Sequence, residues 1–150
     1  MARDSVAYED DFFAWTQDQA RLLREGKLSL VDAENVAEEI ESMGRSDRRE
    51  LESCFVVLLT HLLKWQVQTG FQSRSWRSTI NTQRDEIAAL LADSASLRPV
   101  VDQPRPVLYT RARRNAADET GISEKSFPEA CPFTPAQILD ENFLPEDQTP

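Results

Sequence analysis

The chain has 150 residues, of which 29% are charged and 40% hydrophobic, and its formal net charge is −9. These values are typical of one globular domain with its own core, and the negative charge argues against general nucleic-acid binding. No apolar run reaches the roughly 18 residues that a membrane-spanning helix needs. The polar, acidic start predicts no signal peptide, so we expect no membrane association.

The few cysteines and the single histidine limit the possible chemistry. Cys54 and Cys131 are too few for a disulfide scaffold, so we expect reduced thiols and a cytoplasmic location. His61 is the only histidine, which argues against a multi-histidine metal site. We therefore expect neither a metal nor a cofactor.

The charge is unevenly distributed along the chain. Residues 1–70 hold 8 basic and 14 acidic side chains, residues 71–114 hold 8 arginines and 4 acids, and residues 115–150 hold 1 lysine and 8 acids. The middle segment either offers a basic face to an acidic partner or neutralises the two acidic flanks within the fold. We favour neutralisation.

In chain order, a first helix is expected from about residue 10 to about residue 25, with Trp15 in the core and Gly26 after its end. Residues 29–32 resemble a capping box and open a second helix, which Gly44 ends. Its predicted buried stripe consists of Ala33, Val36, Ala37, Ile40 and Met43.

The most apolar stretch, residues 46–65, predicts a central helix that several neighbours cover. Ser46 is a good N-cap, and apolar residues then recur at three- and four-residue spacing. The tight connection at Gly44 and Arg45 favours antiparallel packing of the second helix on the central one.

Two more helices are predicted at about 76–92, with Ser75 as N-cap, and at about 107–120. Gly121 closes the second of these. Residues 122–150 contain five prolines and are expected to wrap the bundle in extended form. One short helix is expected there, capped by Thr134 and ending near Asn142.

The predicted fold class is all-α. It is a single-domain helical bundle of four main helices, with a core at about residues 8–121 and a proline-rich C-terminal wrap at residues 122–150 that contains the short helix. The sequence shows neither an internal repeat nor the alternation of a β-strand.

Four helices each place one polar residue on or beside an apolar stripe. Arg84 falls in the middle of its stripe, and burying an isolated charge is costly, so we predict a carboxylate partner, with Glu39 as first choice. The alternative is that the arginine head reaches solvent along its stem. If the four polar residues converge, Asp32, Lys64 and Tyr109 would support them. The four are Glu39, His61, Arg84 and Glu119.

This cluster has two interpretations. As a site, it would offer Glu39 and Glu119 as general base or metal ligand, a titrating His61 and an anion-stabilising Arg84. As structure, it would be a charge-balanced network that fixes how the helices pack, and we favour this interpretation. His61 alone is also explained as a core histidine with one or two hydrogen bonds. A glycine-rich phosphate loop, HExxH, CxxC and a serine elbow are all missing from the sequence.

A series of ordered motifs resembles one known family. They include EEIESMG at residues 38–44 and LLTHLLKW at residues 58–65, and the others lie at residues 8–15, 75–77, 84, 119–121, 127–128, 131–133 and 142–145. Over nearly its whole length the chain is similar to the bacterial "domain of unknown function" family twenty-nine, which is common in cyanobacteria and found in proteobacteria. The resemblance implies an all-helical, single-domain bacterial protein, and it implies no reaction.

Two functional hypotheses follow. The first is a small acidic helical interaction module that binds another protein, or a second copy of itself, through its helical faces or its tail. The second is an enzyme or small-ligand-binding bundle that uses the four polar residues. A cavity that opens onto the cluster would favour the second hypothesis, and a cluster with every group paired would favour the first. We prefer the interaction module.

Overall fold

The computed structural model describes residues 6–146, and within this range the chain forms six α-helices, four short 3₁₀ turns and no β-strand. The all-α prediction is therefore confirmed. The chain divides into two compact units, Met1–Ser46 and Asp47–Pro150. The acidic start at residues 1–5 and the end of the predicted wrap at residues 147–150 lie outside the described residues.

The helix ends follow ordinary capping chemistry. Asp11 accepts a hydrogen bond from the Ala14 amide at the start of the first helix, and Ser73, rather than Ser75, does the same for Trp76 in the third. Four helices have 13 residues or more, and the other two have five. The helices are α1 (Phe12–Arg24), α2 (Ala33–Val67), α3 (Arg74–Asp93), α4 (Arg98–Asp102), α5 (Pro106–Thr120) and α6 (Pro135–Leu139).

α2 differs most from expectation. Three predictions are wrong because α2 continues through this point as one helix of 35 residues. They are the helix end at Gly44, the N-cap at Ser46 and the antiparallel packing of two separate helices. A single glycine inside a helix costs only about 1 kcal/mol, and Gly44 has no positive φ. Ion pairs across the junction offset part of this cost. They join Arg45 to Glu38 and Glu41.

The N-terminal unit has a small core. α1 and the first part of α2 form a hairpin, connected by a 3₁₀ turn at Leu28–Leu30. Trp15, Gln19 and Leu22 of α1 are buried, and Trp15 at 3% exposure confirms its predicted place in the core. A unit of this length with so few buried side chains has little hydrophobic stabilisation of its own.

The predicted buried stripe of the second helix is wrong. Ile40 is 63% exposed and Met43 is 69% exposed. Every residue from 41 to 50 is exposed as well. Apolar spacing identifies an apolar face, but it does not show that another element covers that face.

The C-terminal unit holds the main core. The second part of α2 runs through it, and its Leu51, Leu58, Leu62 and Leu63 are fully buried. The tail packs on this core through extended segments and α6, whose N-terminus is a capping box formed by Thr134 and Gln137. The buried side chains of the tail are Phe127, Phe133 and Ile138.

Candidate functional site

Glu39 and Arg84, the pair predicted from the sequence, have different partners. Glu39 accepts a hydrogen bond from the Tyr8 hydroxyl within the N-terminal unit. Arg84 is 5% exposed, so its predicted burial is correct. The prediction of a carboxylate partner for Arg84 is wrong. The Arg84 Nε donates to the Ile138 carbonyl at 2.8 Å, and its NH2 group donates to the Gln137 carbonyl at 3.4 Å.

The chemistry of a helix end explains the contacts of Arg84. The last carbonyls of a helix have no partner within the helix, so the end of α6 supplies acceptors that a guanidinium can reach. Burial lowers the pKa of Arg84, and the carboxylates of Asp140 and Glu141 act against this change. The arginine thus anchors the tail to α3.

Lys64 and Glu119 do come together. The Lys64 Nζ lies 3.0 Å from a Glu119 carboxylate oxygen and 4.7 Å from the centre of the Trp76 ring. Lys64 is 8% exposed, so both the carboxylate and the aromatic face compensate for its lost hydration. One ammonium therefore links α2, α3 and α5.

His61 lies beside this ion pair, and Lys64 and Glu119 both act on its pKa. Its Nδ1 is 2.9 Å from the Val57 carbonyl, which can only accept, so Nδ1–H is the donor. Burial lowers the pKa of His61 and the Lys64 charge adds to the effect, whereas the Val57 carbonyl and the Glu119 charge oppose it. His61 has the single hydrogen bond that the plainer interpretation predicts, but it is half-buried and not a fully buried core residue.

Asp32 and Tyr109, the two other predicted supporting residues, have partners outside the predicted cluster. Asp32 accepts hydrogen bonds from Trp15 Nε1 at 3.2 Å and Asn35 Nδ2 at 2.8 Å, and these bonds lower the pKa of its carboxyl, that from Asn35 most. The Tyr109 hydroxyl donates to the Pro128 carbonyl at 2.5 Å, and burial raises the pKa of Tyr109 to about 12. The predicted residues are thus distributed over several separate hydrogen-bond groups.

Among the predicted residues, Tyr109 lines one of four cavities in the C-terminal unit, that of about 440 Å³, and the others line none of the four. The other three cavities have volumes of about 290, 410 and 430 Å³. The 440 Å³ cavity is mostly apolar, with Phe55 among its lining residues. Within residues 6–146 there is no group of three His, Cys, Asp or Glu side chains that could hold a metal ion.

Four buried polar residues were not among the predicted ones: Gln19, Glu52, Thr60 and Gln66. Glu52 is 6% exposed and lies 3.2 Å from Arg48 and 2.5 Å from Arg105. Gln66 is also 6% exposed, and its Oε1 is the one buried side-chain polar atom in the described part of the chain without a hydrogen-bond partner. Glu52 and Gln66 belong to α2. Glu52 lies within the most apolar stretch at residues 46–65, where a polar residue was the available signal, whereas Gln66 comes just after that stretch.

Exposed apolar side chains are concentrated in the N-terminal unit. Of ten large ones in the described residues, two, Phe71 and Val107, belong to the C-terminal unit. Single exposed apolar residues are normal, whereas a large contiguous apolar patch is a feature of protein, membrane or ligand contact sites and of aggregation-prone surfaces. The eight in the N-terminal unit are Val6, Phe12, Phe13, Leu23, Leu28, Leu30, Ile40 and Met43.

Two of these eight residues, Ile40 and Met43, belong to a strip of apolar and small residues along α2. At about 100° per residue, the positions fall within roughly 120° of the helix circumference. Val36 is half-buried and the others are exposed. We call this strip the α2 apolar stripe, and it consists of Ala33, Val36, Ala37, Ile40, Met43 and Gly44.

Aromatic side chains at the start of α1 and just before it, at Tyr8, form a cluster that contacts α2 through Glu39. The Phe12 ring, 50% exposed, is 5.7 Å from the Tyr8 ring and 5.9 Å from the Trp15 ring. Tyr8 in turn donates its hydroxyl proton to Glu39, the residue before Ile40. The half-exposed Phe12 ring is thus connected through Tyr8 to Glu39, which lies along one edge of the stripe.

The surroundings of the stripe are acidic. Residues 6–46 contain ten acidic and four basic side chains, a net charge of −6. Glu39 and Glu41 lie about 100° to either side of Ile40, one along each edge of the stripe. The arrangement is an exposed apolar strip with a carboxylate along each edge.

Comparison with known proteins assigns the family. No helix in residues 6–146 is both long enough and apolar enough to cross a membrane. No curated protein and no solved structure matches the chain. The sequence profile described as "Domain of unknown function DUF29" matches residues 7–144, nearly the whole chain. The chain therefore belongs to the family described as "Domain of unknown function DUF29".

Proposed function

We propose that the protein is a helical protein-interaction module and that its N-terminal unit carries the binding surface. The observation that carries the proposal is the concentration of exposed apolar side chains there, above all Ile40 and Met43 at 63% and 69% exposure. Leaving this area in water contributes nothing to folding, whereas covering it on a partner would stabilise the complex by about 25 cal/mol per Å² before the costs of association.

The polar residues support this proposal over an enzyme. Lys64 and Glu119 neutralise each other, and Arg84 has acceptors for its buried N–H groups. A catalytic group needs room for a substrate beside it, and the four described cavities are lined by other residues. The cytoplasm is the proposed location, since both cysteines are free thiols and Cys131 is exposed.

Site-specific photocrosslinking in the cells that make the protein tests this proposal. A photoreactive phenylalanine analogue replaces Met43, and in a matched variant it replaces Val107, an exposed apolar residue of the C-terminal unit. We expect a discrete crosslinked adduct from position 43 that is absent from position 107. An adduct of twice the chain mass would identify a second copy, and any other mass a different protein.

The absence of a position-specific adduct would contradict the proposal. Circular dichroism of both variants must match the wild type, so that a negative result is not caused by misfolding. The double variant Ile40→Ser/Met43→Ser provides a further check. It removes apolar area from an already exposed surface, so it should abolish complex formation and leave thermal stability nearly unchanged.

A further inference from the structure

We infer that the partner of the α2 apolar stripe is a cationic amphipathic helix of another protein. This inference rests on the proposed function and specifies the chemistry of the partner. Three observations support it: the shape of the stripe, the carboxylates along its edges and the charge of the unit that carries it.

The stripe has the shape that receives a helix. It follows the axis of α2 from Ala33 to Gly44, which is about 17 Å at 1.5 Å per residue, or three helical turns. A helix packs on such a strip through its own apolar residues at three- and four-residue spacing. Ala33, Ala37 and Gly44 have small side chains, so they leave room for the larger side chains of a partner.

Carboxylates border the stripe on both sides. Glu39 lies along one edge, where it accepts a hydrogen bond from the Tyr8 hydroxyl. Glu41 and Glu34 lie along the other edge, about 100° and 120° from Ile40. The Glu34 side chain has no ion pair within the described part of the chain, and Glu41 has one distant pair, to Arg45 at 3.8 Å. A partner helix with lysines or arginines beside its apolar face would place those charges against the carboxylates.

The basic groups of the N-terminal unit are largely occupied. Arg21 pairs with Asp18 at 2.7 Å and with Glu25 at 3.2 Å, and Lys27 also pairs with Glu25, at 2.9 Å. These pairs and the charge of −6 leave an excess of acids. A second copy would bring the same negative charge, and an acidic peptide or an anionic membrane would also be repelled. Charge complementarity therefore selects a cationic partner.

Fluorescence anisotropy with model peptides tests the inference. The probe is a labelled helical peptide of about 18 residues, made of leucine and lysine with the leucines on one face. One control peptide has glutamate in place of lysine, and another has the leucines and lysines in scrambled order. We expect saturable binding of the first peptide to the full chain, and at least about tenfold weaker binding of both controls.

Matched protein variants locate the binding. Ile40→Ser/Met43→Ser should weaken the affinity by at least about tenfold, while Phe71→Ser/Val107→Ser should leave it unchanged. Glu34→Gln/Glu41→Gln should weaken it and reduce its salt dependence, and the exposed pair Asp85→Asn/Glu86→Gln on α3 should have little effect.

Equal binding by the Ile40→Ser/Met43→Ser variant would overturn the inference, because the peptide would then be held by general attraction to an acidic protein. Failure of the lysine peptide to bind, or preference for the glutamate peptide, would overturn it as well. The photocrosslinking result at position 43 decides the proposed function independently. An adduct there without peptide binding leaves an interaction module whose partner is not a cationic helix.

Discussion

The environment of His61 couples its charge to folding. Its pKa is held below the ordinary value of 6.5 mainly by burial. The unfolded chain therefore takes up a proton near pH 6.5, whereas the folded chain does so only at lower pH. The contribution of neutral His61 to the free energy of unfolding is therefore fully present above the pKa of the unfolded chain. It is lost as the pH falls through 6.5 towards the lower pKa of the folded chain.

NMR titration of the His61 imidazole tests this account. We expect a pKa below 6.5 in the wild type and a still lower pKa in Glu119→Gln, because the Glu119 charge raises it. Arg84→Met should leave the titration unchanged, because Arg84 hydrogen-bonds to the tail instead. A His61 pKa at or above 6.5, or one that moves with Arg84→Met, would contradict the structure.

The same residues show which features of single side chains can be predicted from the sequence. The burial of Arg84 and Trp15 could be predicted, because apolar spacing places them on the inner faces of their helices. The partners of Arg84 could not, because its acceptors are backbone carbonyls 53 and 54 residues away that become available where α6 ends. Backbone acceptors carry no signal in the identity of a side chain.

The long helices were predictable from periodicity, and the fusion of two of them into α2 was not. Gly44 and Ser46 have the residue types of a helix end and a helix start, but the intrinsic preference of one glycine is weak. An uninterrupted helix also keeps the backbone hydrogen bonds that a turn would lose. Preferences of single residues, worth about 1 kcal/mol, therefore predict where a helix begins or ends less reliably than periodicity predicts that a helix exists.

Two glycine substitutions test the conformational argument. Gly44→Ala should raise the free energy of unfolding by about 0.5–1 kcal/mol, since alanine favours the helix and a Cβ at position 44 meets no atom within 4 Å. Gly121→Ala, with φ at +73°, should lower it by about 1 kcal/mol or more.

Urea denaturation of both variants measures these changes. The matched pair is informative because neither site has atoms close enough to clash with an added methyl group, so backbone conformation alone separates them. A destabilised Gly44→Ala chain would indicate a kink or break at this position in solution.

For the whole molecule, the two compact units share α2, and the stretch at residues 41–50 is exposed throughout. Its amides are protected by the hydrogen bonds of the helix but not by packing. Local opening of such a segment costs much less than global unfolding. The division of the chain at this point had no sequence signal beyond the charged, small-residue composition around Gly44.

Hydrogen–deuterium exchange measures this difference. Amides of residues 41–50 should exchange at least about tenfold faster than those of the buried segment 55–63. Gly44→Ala should slow the exchange of the first segment and leave the second unchanged. Equal protection of the two segments would show that another part of the protein covers the exposed stretch in solution.

The continuity of α2 has a consequence for dividing the chain into separately produced fragments. A truncated chain that begins at Ser46 would start a helix with a serine that can cap its free amides and with Asp47 at the positive end of the helix dipole. A fragment that ends at Arg45 would place a cation at the negative end of its own helix. The residues that resemble a helix start in the sequence thus supply suitable termini for both halves, at the point where the chain divides into its two units.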